Sequence, residues 1–362
     1  MTRMFKLGGF EVGGARPPVF FAEIGSFFNG DPAPARELIR RIVECAKQVP
    51  RQPVVLKTEI LDDPEICLAG AAMETYTSKA GVVKQENYRA LIERKSMATD
   101  LYKPLFALCR ESRIPFVVSV YDFKAADFAK REGAAALKIA SSNIVHVPLI
   151  RHVARLGTPM VIDTGRSSIA EVHRAVDTAR RAGCADIVIQ HSPDGHPAPP
   201  KAHNLRIMQT YTQAFGLPAG LSDHFTGVEM LYVATALGAA VLEKGVYFDA
   251  EELDQDISHT MAIDDLPRVL ETVHACWEAL GRAERDPQER IDWVIGTSQR
   301  QCLVAKADLA PGQKIGLATV RFAFPCLGIP VEHWDMVEGW SIAVALSAGA
   351  PIRWEDVRPG RA

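Results

Sequence analysis

Residues 159–191 contain two short apolar runs separated by an amphipathic segment. The runs are Pro159-Met-Val-Ile-Asp-Thr164 and Asp186-Ile-Val-Ile-Gln-His191, and near-continuous apolar runs of this length are typical of strands buried on both faces of a parallel sheet. Between them, Ser168–Ala182 has apolar residues three and four positions apart, which indicates a helix with one buried face. The stretch therefore predicts a strand, a helix and a second strand parallel to the first.

The same unit recurs along most of the chain. Further strand-like runs are Val19–Gly25, Pro53–Thr58, Pro115–Tyr121, Ala136–Ser141, Leu217–Ser222 and Ala239–Lys244, and further helical patterns are Pro34–Val49, Asn204–Phe215, Gly227–Leu237 and Asp265–Leu280. Eight strands alternating with helices predict an α/β fold of the (β/α)8 TIM-barrel class. An open doubly wound sheet is the alternative, but no G-x-G-x-x-G follows the first strand, which favours the barrel.

The alternation ends after Leu280. Beyond it come a polar, charged stretch and then short strand-like runs with Pro and Gly turns. We therefore predict a catalytic barrel domain at 1–282, a linker at 283–298 and a small β-rich domain at 299–362. The longest gap between strands includes Ile60–Asn87, and we expect it to place a loop over the catalytic face.

Composition limits the classes of partner. The 362 residues carry 41 Lys+Arg and 44 Asp+Glu, a formal charge of −3, so charge balance predicts neither nucleic-acid nor membrane binding. No apolar run reaches the roughly 18 residues of a membrane span. The seven cysteines are scattered without a C-x-x-C pair, which favours a reducing compartment. These features predict a cytoplasmic protein that acts on small molecules.

Ionisable residues cluster where the predicted strands end. They are Glu23, Lys57, Glu59, Asp122, Lys138, Asp163, His191, Asp223, His224, Glu243 and Lys244. Barrel enzymes build their active sites at these ends, although strands that emerge into water also carry polar residues. Lys57 and Lys138 suit a bound phosphate or carboxylate, or an imine with a carbonyl substrate, or surface salt bridges. His191, His196 and His224 are candidates for metal binding or proton transfer.

Several short motifs occur in one order along the chain. They are Ala22-Glu-Ile-Gly25 with Asn29-Gly-Asp31, Lys138-Ile-Ala-Ser141, Thr164-Gly165, Asn204-Leu-Arg206, Gly220-Leu-Ser-Asp-His224, Ala236-Leu-Gly-Ala239, Glu243-Lys244 and Leu303-Val-Ala-Lys306. In this order they resemble the sialic acid synthases, the N-acetylneuraminate synthase family. The resemblance spans nearly the whole chain, and the tail looks like the antifreeze-like SAF domain of that family.

The resemblance implies a reaction, a cofactor and a partner. Members of that family condense phosphoenolpyruvate with an open-chain aldose to a 2-keto acid, with a divalent metal such as Mn²⁺ or Mg²⁺ polarising the aldehyde. They form homodimers in which the SAF domain of one subunit caps the barrel of the other. Carried over by position, the candidates for phosphoenolpyruvate binding are Lys57, Lys138, Ser119, Ser141 and Ser222, the metal ligand is His224, and the residues for acceptor and protons are Glu23 and Asp256.

The chain also departs from the family pattern. Gly245 stands where the family has its second metal histidine, which weakens the implied metal site. Asn143 replaces a glutamate, and Asp163 replaces a serine that contacts phosphate. The other substituted positions are Asp194 and His196, in place of an asparagine and a tyrosine, and the segment around Arg321, in place of an Arg-Pro-Gly motif. We keep these residues as substrate-binding candidates, with His196 or Asp194 as replacement partners for His224.

Three hypotheses follow. The first is a divergent synthase that joins phosphoenolpyruvate to an aldose or small aldehyde. The second is an imine-forming or metal-assisted aldolase or lyase on a substrate without phosphate. The third is a non-catalytic paralogue that binds ligands. The survival of Glu23, both lysines and Asp256 favours an enzyme.

Overall fold

The computed structural model describes residues 2–26, 30–78, 81–248, 256–284 and 299–360. The chain divides into two compact units, Met1–Gly281 and Arg282–Ala362. Most of the predicted linker at 283–298, and Asn29 of the first motif, lie outside the described residues.

The strands of the first unit form one large sheet and two small hairpins. They are β1 Phe5–Leu7, β2 Phe10–Val12, β3 Val19–Glu23, β4 Val54–Ile60, β5 Met73–Thr77, β6 Val83–Asn87, β7 Phe116–Val120, β8 Ala136–Ile139, β9 Met160–Asp163, β10 Ile187–His191, β11 Ala219–Ser222, β12 Val241–Tyr247 and β13 Met261–Ala262. The order β3-β4-β7-β8-β9-β10-β11-β12 is parallel throughout, and β12 pairs back with β3. The prediction of a closed eight-stranded barrel is confirmed.

Helices follow each barrel strand. They are α1 Pro32–Gln48, α2 Tyr88–Lys95, α3 Thr99–Glu111, α4 Phe123–Arg131, α5 Val147–Arg155, α6 Ile169–Arg181, α7 Ile207–Phe215, α8 Glu229–Ala236 and α9 Leu266–Leu280. Local sequence sets their starts. Ser168 and Glu171 form a reciprocal capping box at α6, and the Asp31 side chain caps α1 just before Pro32, so both helices begin with satisfied backbone N–H groups.

Inward-facing side chains change character along each barrel strand. Alternate residues of a strand face the same side. Toward the amino-terminal end of the barrel the inward-facing residues are apolar, and Phe21, Val55 and Val161 lie in one buried cluster. Two residues further on, the same faces carry Glu23, Lys57 and Asp163. The barrel is therefore packed with apolar groups at its amino-terminal end and lined with ionisable groups at its carboxyl-terminal end.

An antiparallel hairpin closes the amino-terminal end of the barrel. Strands β1 and β2 pair from Phe5 with Val12 to Leu7 with Phe10. Phe5, Leu7 and Val12 are buried in the same cluster as the apolar inward-facing residues at the amino-terminal end of the barrel strands. The sequence patterns did not predict this hairpin, because its strands have only three residues each.

The long segment after β4 contains the β5–β6 hairpin and the helix α2. Ile66 and Cys67 before the hairpin, and Tyr88, Ile92 and Lys95 on α2, line the cavity at the carboxyl end of the barrel. The expectation that this segment covers the strand ends is confirmed for these residues.

The second unit is built of short strands around its own core. Its strands are β14 Cys302–Ala305, β15 Val320–Ala323, β16 Ser341–Ile342 and β17 Val357–Arg358, with a short helix, α10 Trp334–Val337. Leu303, Ile315, Ile329 and Ile352 are buried in its core. Within the described ranges of the whole chain, no helix has the length and apolar character needed to cross a bilayer.

Candidate active site

A cavity of about 620 Å³ opens at the carboxyl ends of the barrel strands. All eight barrel strands supply a polar side chain to its wall, either from the strand or from the residue directly after it. These side chains are Glu23, Lys57, Glu59, Ser119, Lys138, Asp163, Ser192, Ser222 and Glu243. Convergence of polar groups from every strand on one cavity is the usual construction of an active site in this fold.

Lys57 lies at the centre of three carboxylates. Its Nζ contacts the Glu23 carboxyl and lies 3.2 Å from Glu59 and 3.6 Å from Glu243. The register of β3 against β4 places Glu23 directly beside Lys57. Burial disfavours the ammonium form, but the three carboxylates outweigh it and raise the pKa of Lys57. Lys57 therefore stays charged.

Glu23 retains its proton at neutral pH. Burial raises the pKa of Glu23 to about 8, with Glu243 and Glu59 adding to the shift and Lys57 opposing it. At Glu23, burial and the two neighbouring carboxylates outweigh the ammonium groups of Lys57 and Lys138, so this carboxyl binds a proton. Glu23 is therefore a carboxylic acid that can give a proton to a substrate oxygen.

Lys138 is held by two carboxylates on neighbouring strands. Its Nζ lies 2.7 Å from Glu243 Oε1 and 2.9 Å from Asp163 Oδ2, and the Ser192 hydroxyl donates to Asp163 Oδ1 over 2.5 Å. Burial opposes ionisation of Asp163, but Lys138 and Ser192 outweigh it and lower its pKa. Both lysines outweigh burial at Glu243 and lower its pKa to about 2. This side of the cavity is therefore ionised and internally paired.

Three imidazoles form another part of the cavity wall. The ring centroids of His196 and His224 are 4.4 Å apart, those of His224 and His259 are 4.7 Å apart, and those of His196 and His259 are 5.2 Å apart. Burial lowers the pKa of His224 to about 4, and His196 adds to the shift, so His224 is neutral. His259 was not among the sequence candidates, although it follows Asp256 by three residues.

The loops that carry this wall are tied together. Ala198, two residues after His196, donates its N–H to the carbonyl of His224 over 2.8 Å. Gly195 has a φ of 113°, and a Cβ there would meet the Pro197 carbonyl at 2.9 Å, so the turn before His196 needs glycine. The loop that carries His196 and the loop that carries His224 are therefore fixed relative to each other.

A buried network fixes the turn at His224. Lys244 Nζ donates to Asp223 Oδ2 over 2.8 Å, and His203 Nε2 lies 3.2 Å from Asp223 Oδ1. The N–H of Phe225 also donates to Asp223 Oδ1. Asp223 and Lys244 therefore face away from the cavity. Their contacts fix the backbone on both sides of His224, which follows Asp223 directly.

Asp256 stands beside the imidazoles and a buried lysine. Lys95 of α2 has its Nζ 3.6 Å from Asp256 Oδ2 and is 2% exposed. Burial opposes ionisation of Asp256, but Lys95, His196 and His224 outweigh it and lower its pKa. Lys95 was not a sequence candidate, since a single lysine in a helical pattern gives no signal of burial.

Most sequence candidates of the barrel meet at this cavity, but Asp194 and His191 do not. Those that line it are Glu23, Lys57, Ser119, Lys138, Ser141, Asn143, Asp163, His196, Ser222, His224 and Asp256. Asp194 lies outside it, because Arg166 binds its carboxylate at 2.5 Å among exposed side chains. Arg321 belongs to β15 of the second unit and is exposed. His191 also lies off the cavity, bonded to the His203 carbonyl.

Some buried polar atoms at the cavity lack a hydrogen-bond partner among the described residues. Among them are Ser119 Oγ, Asn143 Nδ2 and His224 Nδ1. An unsatisfied buried polar group costs about 1–3 kcal/mol, so atoms left in this condition at a cavity wall suggest a role in binding a ligand.

The implied divalent metal can be tested against these residues. Imidazole and carboxylate are ligands for first-row divalent metals, and neutral His224 with an unbonded Nδ1 suits one coordination bond. Gly245 supplies no second bond. Across the described ranges, no three His, Cys, Asp or Glu side chains have their ligand atoms gathered at one point, although His196 and His259 lie against His224.

The fold and the cavity together define a (β/α)8-barrel protein with acid, lysine and imidazole groups at the strand ends. The NeuB family model matches residues 53–285 and the SAF domain model matches residues 300–358. The chain therefore belongs to the NeuB family and carries a SAF domain.

Named relatives span nearly the whole chain. The N,N'-diacetyllegionaminic acid synthase of Legionella pneumophila is 28% identical over 97% of this chain and 98% of its own length. The spore coat polysaccharide biosynthesis protein SpsE of Bacillus subtilis is 30% identical over 98% and 97%. Among solved structures, a putative spore coat polysaccharide biosynthesis protein E from Chromobacterium violaceum covers 94% of this chain and all of its own, with a TM-score of 0.73 at 21% identity; this likeness supports the fold.

Proposed function

We propose that the protein joins phosphoenolpyruvate to the aldehyde carbon of an open-chain aldose or small aldehyde and releases a 2-keto acid and phosphate. The observation that carries this proposal is the pair of buried, charged lysines, Lys57 and Lys138, in one cavity with a protonated Glu23 that contacts Lys57. Membership of the NeuB family supports the class of reaction.

The donor side of the cavity supplies cations and hydroxyl groups. Lys57 and Lys138 neutralise the anionic groups of the donor, and Ser119, Ser141 and Ser222 donate hydrogen bonds to them. The Ser119 hydroxyl is already unpaired within the described chain, so it can bond to the donor without losing a protein partner.

The acid and base assignments follow from the pKa directions. C3 of the donor attacks the aldehyde carbon, and Glu23 gives its proton to the aldehyde oxygen, which becomes a hydroxyl. Ionised Asp256 accepts a proton from the water that adds at C2. The C2–O bond then breaks: phosphate leaves with the bonding electrons and takes up the proton of the new C2 hydroxyl, which becomes the 2-keto group.

His224 is the described side chain best suited to hold a divalent cation on the acceptor wall, with His196 and His259 beside it. When bound there, such a cation polarises the aldehyde oxygen as a Lewis acid.

Phosphate release from phosphoenolpyruvate, measured with a panel of aldoses and small aldehydes, tests the proposal. We expect release that depends on one acceptor and is matched by formation of a 2-keto acid. Lys138→Met should lose the activity, whereas Arg181→Met, a change on the outer face of α6, should keep it. Absence of release with every acceptor, with and without Mn²⁺, would contradict the proposal.

A second candidate is an aldolase or lyase acting on a 2-keto acid without phosphate. The contact between Asp163 and Lys138 favours it, because an ionised carboxylate there repels a phosphate dianion. The pKa values of Lys57 and Lys138 are both raised, and a protonated amine is no nucleophile, so we favour acid–base chemistry over an imine. Product formation from pyruvate and an aldehyde, with no lysine labelled by borohydride, would support this candidate.

We further propose a cytoplasmic homodimer in which the SAF domain of one subunit caps the barrel of the other. Family membership and seven free cysteines support it. Light scattering of the purified full chain tests the dimer, and a monomer at micromolar concentration would contradict it.

A further inference from the structure

A third buried lysine lines the cavity, and it comes from a helix outside the barrel strands. Lys95 is the last residue of α2 and is 2% exposed. It shares the buried face of this helix with Leu91 and Ile92, where the aliphatic stem of a lysine can pack among apolar groups. The α2 helix therefore supplies a cation to the cavity, in addition to Lys57 and Lys138 of the strands.

Lys95 contacts the carboxylate of Asp256, which lies beyond β12 in the chain. The Nζ atom of Lys95 is 3.6 Å from Oδ2 of Asp256. Asp256 directly precedes a 3-10 turn, Ile257–His259, and its carbonyl accepts the N–H of His259 over 3.3 Å. Asp256 and His259 both line the cavity. The contact therefore joins α2 to the turn that carries one of the imidazoles.

A buried ammonium group at this position needs a compensating partner. Taking such a group out of water is costly unless an anion repays the lost hydration, whereas a leucine or methionine would fill the same place without that cost. The carboxyl end of a helix carries partial negative charge, which stabilises a cation in the last turn of α2. Burial opposes ionisation of Asp256, and Lys95 is foremost among the charged groups that outweigh it and lower its pKa. Each of the two charges therefore stabilises the other at the cavity wall.

We propose that Lys95 is a positioning residue for the reaction, whose ammonium group holds the Asp256 carboxylate at the cavity wall beside the imidazoles. This inference rests on the proposed function, in which Asp256 accepts a proton from the water that adds at C2. A base must lie within hydrogen-bond distance of the proton that it removes, and a displacement of about 1 Å can lower a rate about 100-fold. In this role Lys95 acts through Asp256 and not on the substrate itself.

A kinetic double-mutant cycle tests whether Lys95 acts through Asp256. We expect Lys95→Met to lower kcat at least about 10-fold, with the KM for phosphoenolpyruvate changed less than about 3-fold. In the Asp256→Asn background the same change should alter kcat by less than about 3-fold, because the group that Lys95 positions is already gone. A residue that only stabilises the fold would lower kcat equally in both backgrounds. Lys103→Met, which removes an exposed lysine paired with Asp100 on α3, should keep the wild-type kcat.

Crystal structures of the full chain, as wild type and as Lys95→Met, test the positioning without turnover. We expect the Asp256 carboxylate to move by at least about 1 Å in the variant. Lys95→Leu, a smaller apolar replacement, guards against misfolding of the methionine variant, and its circular dichroism should match the wild type.

A displaced Asp256 carboxylate, together with a loss of kcat that disappears in the Asp256→Asn background, supports the inference. An unmoved carboxylate in a folded variant, or equal losses of kcat in the two backgrounds, overturns it. A wild type without turnover on any acceptor would contradict the proposed function, whereas the position of Asp256 in the variants still tests Lys95, so the two failures are distinguishable.

Discussion

The Nζ atom of Lys138 on β8 lies 2.9 Å from the Oδ2 atom of Asp163 on the adjacent strand β9. The two strands are parallel and in register, so the carboxylate occupies one side of a lysine that faces the donor half of the cavity. This contact bears directly on whether a phosphate group can enter.

Replacing Asp163 by serine should therefore favour phosphoenolpyruvate. Removal of a buried negative charge from the wall that binds the dianion should be worth more than about 1.4 kcal/mol, so we expect at least a 10-fold lower KM for phosphoenolpyruvate. The measurement is phosphate release at varied donor concentration. Asp194→Ser, which removes an exposed carboxylate outside the cavity, serves as the control. A KM that rises in Asp163→Ser would show that the carboxylate assists the donor.

Glu23 should act as an acid with a high pKa. Its protonated form predominates below about pH 8, so kcat/KM should fall as the pH rises through that value. Glu23→Gln should lower kcat by roughly 10²–10⁴, and its residual rate should lack this alkaline limb. The measurement is the pH profile of phosphate release in both proteins. An identical alkaline limb in Glu23→Gln would assign the titration to another group.

The same carboxyl should make stability fall with pH. Folded Glu23 keeps its proton up to about pH 8, whereas the unfolded chain loses it near its ordinary value of 4.5. Between these values the folded state binds more protons, so rising pH favours unfolding by at most about 1.4 kcal/mol per pH unit.

Urea unfolding of the wild type and Glu23→Gln from pH 5 to 8 measures this effect. The variant should lose less stability than the wild type over the range. Parallel curves for the two proteins would mean that Glu23 is ionised in the folded state.

Lys244 should be important for stability. Its ammonium is buried and bonded to the buried carboxylate of Asp223, so Lys244→Met leaves that charge without its main partner and should cost about 3–5 kcal/mol. Adding Asp223→Asn should restore part of the loss. Arg181→Met breaks an exposed pair with Asp177 and should cost less than about 1 kcal/mol. Equal losses in the two single variants, measured by urea unfolding, would contradict the role of the network.

The amino-terminal hairpin should stabilise the barrel without affecting its chemistry. Leu7 is fully buried against the lower barrel residues, so Leu7→Ala should cost about 2–5 kcal/mol. Lys6→Ala, on the exposed side of the same strand, should cost little. Below the melting temperature, kcat should be unchanged in both. A change in kcat for Leu7→Ala would mean that the hairpin influences the opposite end of the barrel.

Much of this arrangement is local and could be predicted from the sequence. Short apolar runs alternating with helical patterns suffice to predict the barrel, because the pattern of each strand and helix lies within one short stretch of sequence. Lys57, Lys138 and Ser222 could be found because active sites of this fold lie where strands end.

Contacts between distant segments needed the tertiary structure. Nothing local indicates that His259 reaches His224, that Lys95 is buried beside Asp256, or that Asp194 turns away to Arg166. Alternation puts Glu243 and Lys244 on opposite sides of β12, but only the closed barrel shows that Glu243 faces the cavity and Lys244 faces Asp223.

By itself the sequence determined the alternation of strands and helices and the ionisable residues at the strand ends, since both depend on short-range pattern. The tertiary structure alone decided which charges neutralise one another and which imidazoles meet. Those outcomes depend on closure of the barrel and on loops that return from far along the chain. Charges and rings interact over about 3–5 Å in space, and residues far apart in the sequence reach that distance only in the folded barrel.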